Sequence, residues 1–266
     1  MKDIKFGSRT YIMGILNVTP DSFSGDGVYQ DIDKAVEIAE RMVEDGADII
    51  DIGGESTRPG SKPVTIEEEI KRTIPVIKKL SKRIKVSISI DTAKPEVVRL
   101  ALDSGASIVN DITGLGSGQK MIDVLREFSA KIVVMHIKGA PQTMQDNPEY
   151  GNLLQEIKGK LKDIIEKAVA GGVRKENIII DPGIGFGKTL EHNLLILNRL
   201  FEFKEFGLPV LVGPSRKSFI GKLTGADPDK RIFGTIASVA IAIKNGADIV
   251  RVHDVKEIKQ AVLVSD

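Results

Sequence analysis

The sequence predicts an α/β protein whose parallel strands close into a (β/α)8 TIM barrel with an N-terminal β-hairpin. Three observations carry that expectation. Short β-branched runs alternate with helical segments eight times along the 266 residues, and such alternation marks parallel βαβ units. The runs are short and rich in β-branched residues, as strands covered on both faces are. One pattern also recurs: a glycine that stops a helix, an alanine, a short polar residue and two β-branched residues. It is found at Gly46-Ala-Asp-Ile-Ile50, Gly105-Ala-Ser-Ile-Val109 and Gly246-Ala-Asp-Ile-Val250. Eight units in a chain of this length suit a closed barrel better than an open doubly wound sheet, the runner-up. No Pro/Gly/Ser linker divides the chain, so residues 1–266 read as one domain.

Residues 4–6 and 9–11 flank Gly7-Ser8 and read as the hairpin. Residues 12–18 form a buried strand ending in Asn17, and residues 31–45 an amphipathic helix with Asp31 at its N-cap and Gly46 beyond its end. The strand 47–52 runs into Asp51-Ile-Gly-Gly-Glu-Ser-Thr-Arg-Pro-Gly60, a mixture of acid, glycine, hydroxyl and guanidinium that packing does not require. Thr65-Ile-Glu-Glu68 reads as a capping box opening a helix toward Lys82, with Pro75 predicting a kink or a late start. Strands follow at 86–90, 107–109, 132–135, 178–180, 210–212 and 249–250, and helices at 95–103, 119–128, 153–170, 190–206 and 232–244. A short helix closes the chain.

Composition bounds the function. Net charge is 38 − 37 = +1, which argues against broad electrostatic capture of nucleic acid or an acidic membrane. Without cysteine there is no disulfide, thiolate metal site or thiol nucleophile. The start, Met1-Lys-Asp-Ile-Lys-Phe6, is too polar for a signal peptide, and no apolar run approaches the roughly 20 residues that span a bilayer. A cytoplasmic location is the expectation.

In a barrel the C-terminal strand ends meet at one face, where the active site lies. Here those ends carry Asn17, the Thr57-Arg58 loop, Asp91, Asn110, His136, Asp181, Lys217, Arg251 and His253. Each alone has a structural explanation: Asp91 as a helix cap, Asn110 as a turn residue, Lys217 as a solvated cation. A polar or charged residue at all of these ends is not accidental. Asp91, Asn110 and Asp181 suit a flat heterocycle with amino and amide edges, because a carboxylate accepts two parallel N–H bonds. Arg58, Arg216, Lys217, Arg251 and His253 suit phosphate or carboxylate. Asn17 is a neutral oxygen ligand compatible with a magnesium ion held mostly by water and phosphate. Gly183-Ile-Gly-Phe-Gly-Lys-Thr189 has neither P-loop nor dinucleotide spacing. The histidines lack zinc spacing, and a Schiff base on Lys217 stays open as a minor alternative.

Five segments, Gly14-Ile-Leu-Asn-Val-Thr-Pro-Asp-Ser-Phe-Ser24, Asp51 to Gly60 above, Asp181-Pro-Gly-Ile-Gly-Phe-Gly-Lys188, Ser215-Arg-Lys-Ser-Phe219 and Arg251-Val-His-Asp-Val255, closely resemble the dihydropteroate synthases of folate biosynthesis. Ile90-Asp91-Thr92, Asn110-Asp-Ile112 and Met135-His136 with Thr143-Met-Gln145 fit as well. The resemblance spans nearly the whole chain. It implies a (β/α)8 barrel that joins 6-hydroxymethyl-7,8-dihydropterin diphosphate to p-aminobenzoate with Mg²⁺, giving 7,8-dihydropteroate and diphosphate. The family is a sulfonamide target and commonly dimerises, so a homodimer is the expectation. By motif matching, Asp91, Asn110, Asp181 and Lys217 correspond to pterin-binding residues. Thr57, Arg251 and His253 correspond to the diphosphate site, Asn17 to the metal ligand, and Lys217, Arg251 and His253 to the catalytic set. Phe23, Arg58, Pro59, Phe186 and Ser218 match the border of the p-aminobenzoate pocket. Two departures from the common pattern, Ser24-Gly-Asp-Gly27 and Ile137-Lys138 after His136, fall in loops. The alternatives are a methyltetrahydrofolate-dependent corrinoid methyltransferase, which shares the pterin contacts, and a non-catalytic pterin-binding paralogue. Thr57-Arg58-Pro59 and Ser215-Arg-Lys-Ser218 argue against the methyltransferase, which has no use for a diphosphate site, and the full set of diphosphate and strand-end residues argues against the paralogue.

Overall fold

The computed structural model describes residues 4, 6–19, 31–56, 61, 63–139, 143–145 and 147–266. Eight strands run in chain order: β1 Tyr11–Asn17, β2 Ile49–Gly53, β3 Ser87–Asp91, β4 Ile108–Asp111, β5 Lys131–Met135, β6 Ile178–Asp181, β7 Leu211–Val212 and β8 Ile249–Val252. All ladders between them are parallel, in the order β6-β5-β4-β3-β2-β1-β8-β7. The two ends of that order meet: the Ile180 amide donates to the Pro209 carbonyl at 2.9 Å, and Ile180 bridges Val210 in parallel. The sheet is therefore a barrel, as the alternating pattern predicts.

The outer helices are α1 Ile32–Glu44, α2 Ile66–Leu80, α3 Pro95–Asp103, α4 Gln119–Phe128, α5 Leu153–Ala170, α6 Leu190–Asn198, α7 Ser218–Thr224, α8 Ile232–Lys244 and α9 Val255–Ser265. Their starts follow from local chemistry. Asp31, Thr65 and Asn152 each accept an amide hydrogen three residues on, and Pro95 stands at the first turn of α3, where a missing N–H costs nothing. Two expectations need correction. Helix α2 begins at Ile66 and continues through Pro75, so there is no late start. The single helix expected over 190–206 is α6 followed by a 3-10 helix, Leu200–Phe206. Leu200, Phe203 and Phe206 recur every three residues, the spacing that puts apolar side chains on one face of a three-residue turn.

The N-terminal hairpin is also corrected. Among the described residues no strand precedes β1; Phe6 and Gly7 form a turn, and Arg9 and Thr10 are fastened by side chains. Arg9 makes a two-point contact with Asp48 at 2.9 and 2.6 Å, and the Thr10 hydroxyl donates to Asp266 at 2.6 Å. With the Tyr11 amide also donated to the Asp248 carbonyl at 2.9 Å, residues 9–11 are committed to other partners and not to a hairpin. Phe6 instead packs edge-on against Tyr11 at the foot of the barrel, 5.6 Å between ring centroids.

Two apolar clusters follow from the two faces of each strand. The larger lies between sheet and helices, and the smaller fills the lower barrel with Met13, Ile49, Ile108, Val133, Ile179, Leu211 and Ile249 among others. Two residues further along each strand, the inward positions are Ile15, Asp51, Asn110, Met135, Asp181, Gly213 and Arg251. The interior thus changes from apolar to polar toward the C-terminal strand ends. Among the described residues no helix is long and apolar enough to cross a membrane.

Candidate active site

Register brings the strand-end residues together. Asn17 pairs with Gly53, Gly53 with Asp91, and Asp91 with Asn110, so the four stand at one height. Met135 pairs with Asp181 across β5 and β6. A Cβ on Gly53 would lie 3.8 Å from both the Asn17 Oδ1 and the Asp91 Oδ2, so the two side chains flank that glycine from either side.

Arg251 is the centre of the mouth. Its Nε donates to the Asp51 Oδ2 at 2.6 Å, and its Nη2 donates to the Asp91 Oδ2 at 2.6 Å. The Asn110 amide donates to the same Asp51 oxygen at 3.1 Å. Asp51 is fully buried, and its Oδ1 has no partner among the described residues. Burial raises the pKa of Asp91 above the ordinary aspartate value; Arg251 opposes this, and Asp51 adds to it. A guanidinium contact at 2.6 Å on each aspartate is a contact to a carboxylate, and one arginine between two carboxylates leaves an excess of negative charge.

Asp181 lies across the mouth and is buried. The Gly183 amide donates to its Oδ1 at 2.7 Å. Burial raises its pKa, while Lys217, that amide, Lys188 and Arg251 hold the carboxylate form. The Lys217 ammonium donates to the Ile184 carbonyl and sits 4.2 Å from the Phe186 ring centroid. Burial pushes it down to about 7, against the pull of Asp181. A Cβ on Gly185, at φ +80°, would lie 2.6 Å from the Lys217 Cδ, so the glycine admits the lysine stem. Phe186 is therefore in contact with Lys217, and Ser218 opens α7 on the exposed side of the same turn.

His253 follows β8, and its Nδ1 lies 3.0 Å from the Ser215 Oγ, which fixes the ring. Arg216, grouped above with the anion-binding cations, is turned away: at φ +57° its guanidinium makes a two-point contact with Asp254. His136 is buried beside Lys188, and its amide donates to the Asp181 carbonyl at 2.9 Å. Phe23, Thr57, Arg58 and Pro59 lie outside the described residues. The chain on either side of 57–60 is fastened: Glu55 Oε1 accepts the Val64 amide at 3.2 Å, and Lys94 contacts Glu55, Glu69 and the Val64 carbonyl. Asp51 and Lys188 were not singled out from sequence. The signal for Asp51 was the two-residue period: Ile49 and Asp51 face inward while Ile50 and Ile52 pack on helices. Nothing in the pattern around Lys188 gives away its burial.

The donor set bears on magnesium. Among the described residues no group of three or more His, Asp or Glu could hold a metal ion. Asn17 offers one neutral oxygen at the rim, which fits an ion held chiefly by water and substrate oxygens and not a protein-built cage.

A polar, acid-rich mouth with Arg251 and Lys217 at the C-terminal end of a (β/α)8 barrel is the arrangement of a barrel enzyme's active site. The family model of pterin binding enzymes matches residues 13–253, and the chain belongs to that family. Within it, the chain is 50% identical over 262 residues to the dihydropteroate synthase of Synechocystis, covering 98% of this chain and 91% of that one. The structure superposes on the Yersinia pestis dihydropteroate synthase solved with a sulfonamide drug complex, with TM-score 0.94, 43% identity, and 97% and 94% of the two chains covered. It is also similar to the Xanthomonas albilineans dihydropteroate synthase solved with 4-aminobenzoic acid, with TM-score 0.90, 41% identity, and 97% and 92% covered. The activity is that of a dihydropteroate synthase, an alkyl/aryl transferase of folate biosynthesis that condenses 6-hydroxymethyl-7,8-dihydropterin diphosphate with p-aminobenzoate. These likenesses lend nothing to the corrinoid methyltransferase alternative.

Proposed function

We propose that Asp91, Asn110, Asp181 and Lys217 hold the pterin ring. Arg251 and His253, with Thr57, hold the diphosphate, and Arg251 also stacks on the ring. The observation that carries this is the inner rim itself. Two carboxylates and an amide stand at one end of the barrel with Arg251 joined to Asp91 at 2.6 Å and Lys217 opposite Asp181. A planar edge bearing several N–H donors supplies the positive density this acid-rich mouth lacks. Asn17 is the protein ligand to Mg²⁺, which when bound neutralises charge on the leaving diphosphate. Phe186 and Ser218, with Phe23, Arg58 and Pro59, border the p-aminobenzoate site.

In the reaction the bond between the pterin methylene carbon and the diphosphate oxygen breaks, and its electron pair leaves with diphosphate. The amine lone pair of p-aminobenzoate forms the new C–N bond, and the amine then gives up a proton. The electron-rich ring shares the positive charge that develops on the methylene. Arg251, Lys217 and His253 contribute by stabilising the departing anion and orienting the ring, with no strong base required. In sequence, Thr57 of the diphosphate set directly precedes Arg58 and Pro59 of the p-aminobenzoate set, so filling the first site completes the second. The experiment is calorimetric titration of p-aminobenzoate into free protein, and into protein holding 6-hydroxymethylpterin, Mg²⁺ and pyrophosphate, beside an assay of pyrophosphate release. Binding is expected only in the second titration. Equal affinity in both would overturn the order, and absence of turnover would leave a pterin-binding protein without catalysis.

The protein works as a cytoplasmic homodimer in this reading. Phe233 and Ile241 are exposed on one face of α8, at 81% and 48%, with Leu223 of α7 nearby in sequence at 54%. An apolar stripe of this kind is covered by a second copy. Light scattering at micromolar concentration tests it; a monomer would refute it.

A further inference from the structure

Lys188 is a buried lysine, 2% exposed, with no carboxylate within ion-pairing distance among the described residues. Among the described residues its ammonium has neutral partners: the His136 Nδ1 at 3.0 Å, the Phe186 carbonyl at 2.9 Å and the His136 carbonyl at 3.5 Å. A desolvated cation without an anion is costly to fold around, so its location calls for a reason. The loop between β6 and α6 supplies one. Gly183 stands directly above the ammonium, since a Cβ there would lie 3.2 Å from the Lys188 Nζ. The same glycine donates its amide to the Asp181 Oδ1 at 2.7 Å. The cation thus packs against the same glycine that donates to the pterin-facing carboxylate.

We propose that Lys188 is a positioning residue for substrate binding, acting through the Gly183 turn it packs against to keep Asp181 in its carboxylate form when the pterin is bound. This rests on the reading of Asp181 as a pterin contact. The groups facing the pair are few. Asp181 is influenced by Lys217 from the turn after β7, by Lys188 and by Arg251 of β8. Lys188 is influenced by Asp181 and Lys217. His136 is influenced by Lys188, Lys138 and Lys160, and burial pushes it down to about 3, so it accepts from the lysine as a neutral ring. Burial likewise pushes Lys188 down to about 7. Below that pH it carries its charge, which opposes the effect of burial on Asp181.

The sign follows. Removing the Lys188 charge lets burial raise Asp181 further, so the acid limb of pterin affinity moves to higher pH. The probe is 6-hydroxymethylpterin, titrated by calorimetry from pH 5 to 8.5 into wild type, Lys188→Met and Asp181→Ala. Lys188→Met is expected to bind up to about tenfold more weakly on the acid side of the profile and nearly as wild type on the alkaline side, with the acid limb displaced upward by roughly one pH unit. A loop merely loosened would lose affinity equally at every pH, and that result, or an unchanged limb, would overturn the proposal. If Asp181→Ala binds the probe as tightly as wild type, the reading of Asp181 fails instead. Should Lys188→Met not fold, the titration of Lys188 in wild type decides, followed by the ¹³Cε resonance of labelled lysine. Lys188 is already dehydrated, so a neutral ligand that holds Asp181 ionised should raise its pKa; no change on saturation with the pterin would refute the proposal.

Discussion

Replacing Asp51 tests the geometry of the barrel mouth most directly. Asp51→Ala removes the partner of the Arg251 Nε at 2.6 Å and of the Asn110 amide at 3.1 Å. Breaking a buried ion pair by deleting one member costs about 3–5 kcal/mol. Here the loss lies near the lower end, about 3 kcal/mol, because Arg251 keeps Asp91 and its side chain is 21% exposed. At roughly 2–4 °C per kcal/mol for a chain of this size, the midpoint should fall about 6–12 °C. Asp51→Asn retains an acceptor of the same shape and loses only the charge, so about 1 kcal/mol is expected. Thermal unfolding followed by circular dichroism measures both, and calorimetry with 6-hydroxymethylpterin reads whether the arginine still presents its plane to the ligand. Affinity should fall more than tenfold in the alanine variant. If both variants melt within 2 °C of wild type with unchanged pterin affinity, Asp51 does not hold Arg251 and the account of the mouth is wrong.

Gly183→Ala should be severely destabilised, since φ is +75° and the new Cβ would lie 1.9 Å from the His136 carbonyl oxygen; Gly207→Ala, at φ +63° with nothing within 4 Å, should cost only about 1 kcal/mol. Equal melting temperatures for the two would contradict this. Lys217, pushed down to about 7, carries its charge below that pH and loses it above. The kcat/KM profile should therefore show an alkaline limb near pH 7, which Lys217→Met abolishes while lowering kcat/KM about 10- to 100-fold. The same shift means that the folded chain binds fewer protons at Lys217 than the unfolded chain between pH 7 and 10.5, so its destabilising contribution is relieved as pH rises through that window. Asn17→Ala should raise the Mg²⁺ concentration for half-maximal rate; an unchanged dependence removes Asn17 from the metal shell.

Much of the fold was legible because its signals are local. Asp31, Thr65, Asn152 and Gly46 mark helix ends by chemistry that acts within one turn. What was not legible depends on distant contacts. The hairpin at residues 4–11 looked plausible in isolation. It fails because Arg9 is taken by Asp48, Thr10 by Asp266 and the Tyr11 amide by the Asp248 carbonyl, partners distant in sequence that the residues near the N-terminus do not reveal. The break at Arg199 is similar: the segment 190–206 is helical in pattern, and only the packing of Leu200 and Phe203 in the core selects the tighter turn.

The candidate site divides along the same line, and two arginines show why. In sequence Arg216 and Arg251 are alike, each following a β-branched run and each next to residues of a recognisable motif. Arg251 lies within β8, two residues after the inward-facing Ile249, so strand period alone aims it into the barrel, where Asp51 and Asp91 receive it. Arg216 lies beyond β7 in a turn at φ +57°, where no period applies, and the turn delivers its guanidinium to Asp254. Residues on strands inherit their direction from the register and can be placed before any coordinates are known. Residues in turns take theirs from backbone angles set by the whole loop. Asp91, Asn110 and Arg251 could therefore be placed together from pattern. Lys217, Lys188 and His253 needed the loops that Gly183, Gly185 and Ser215 shape around them.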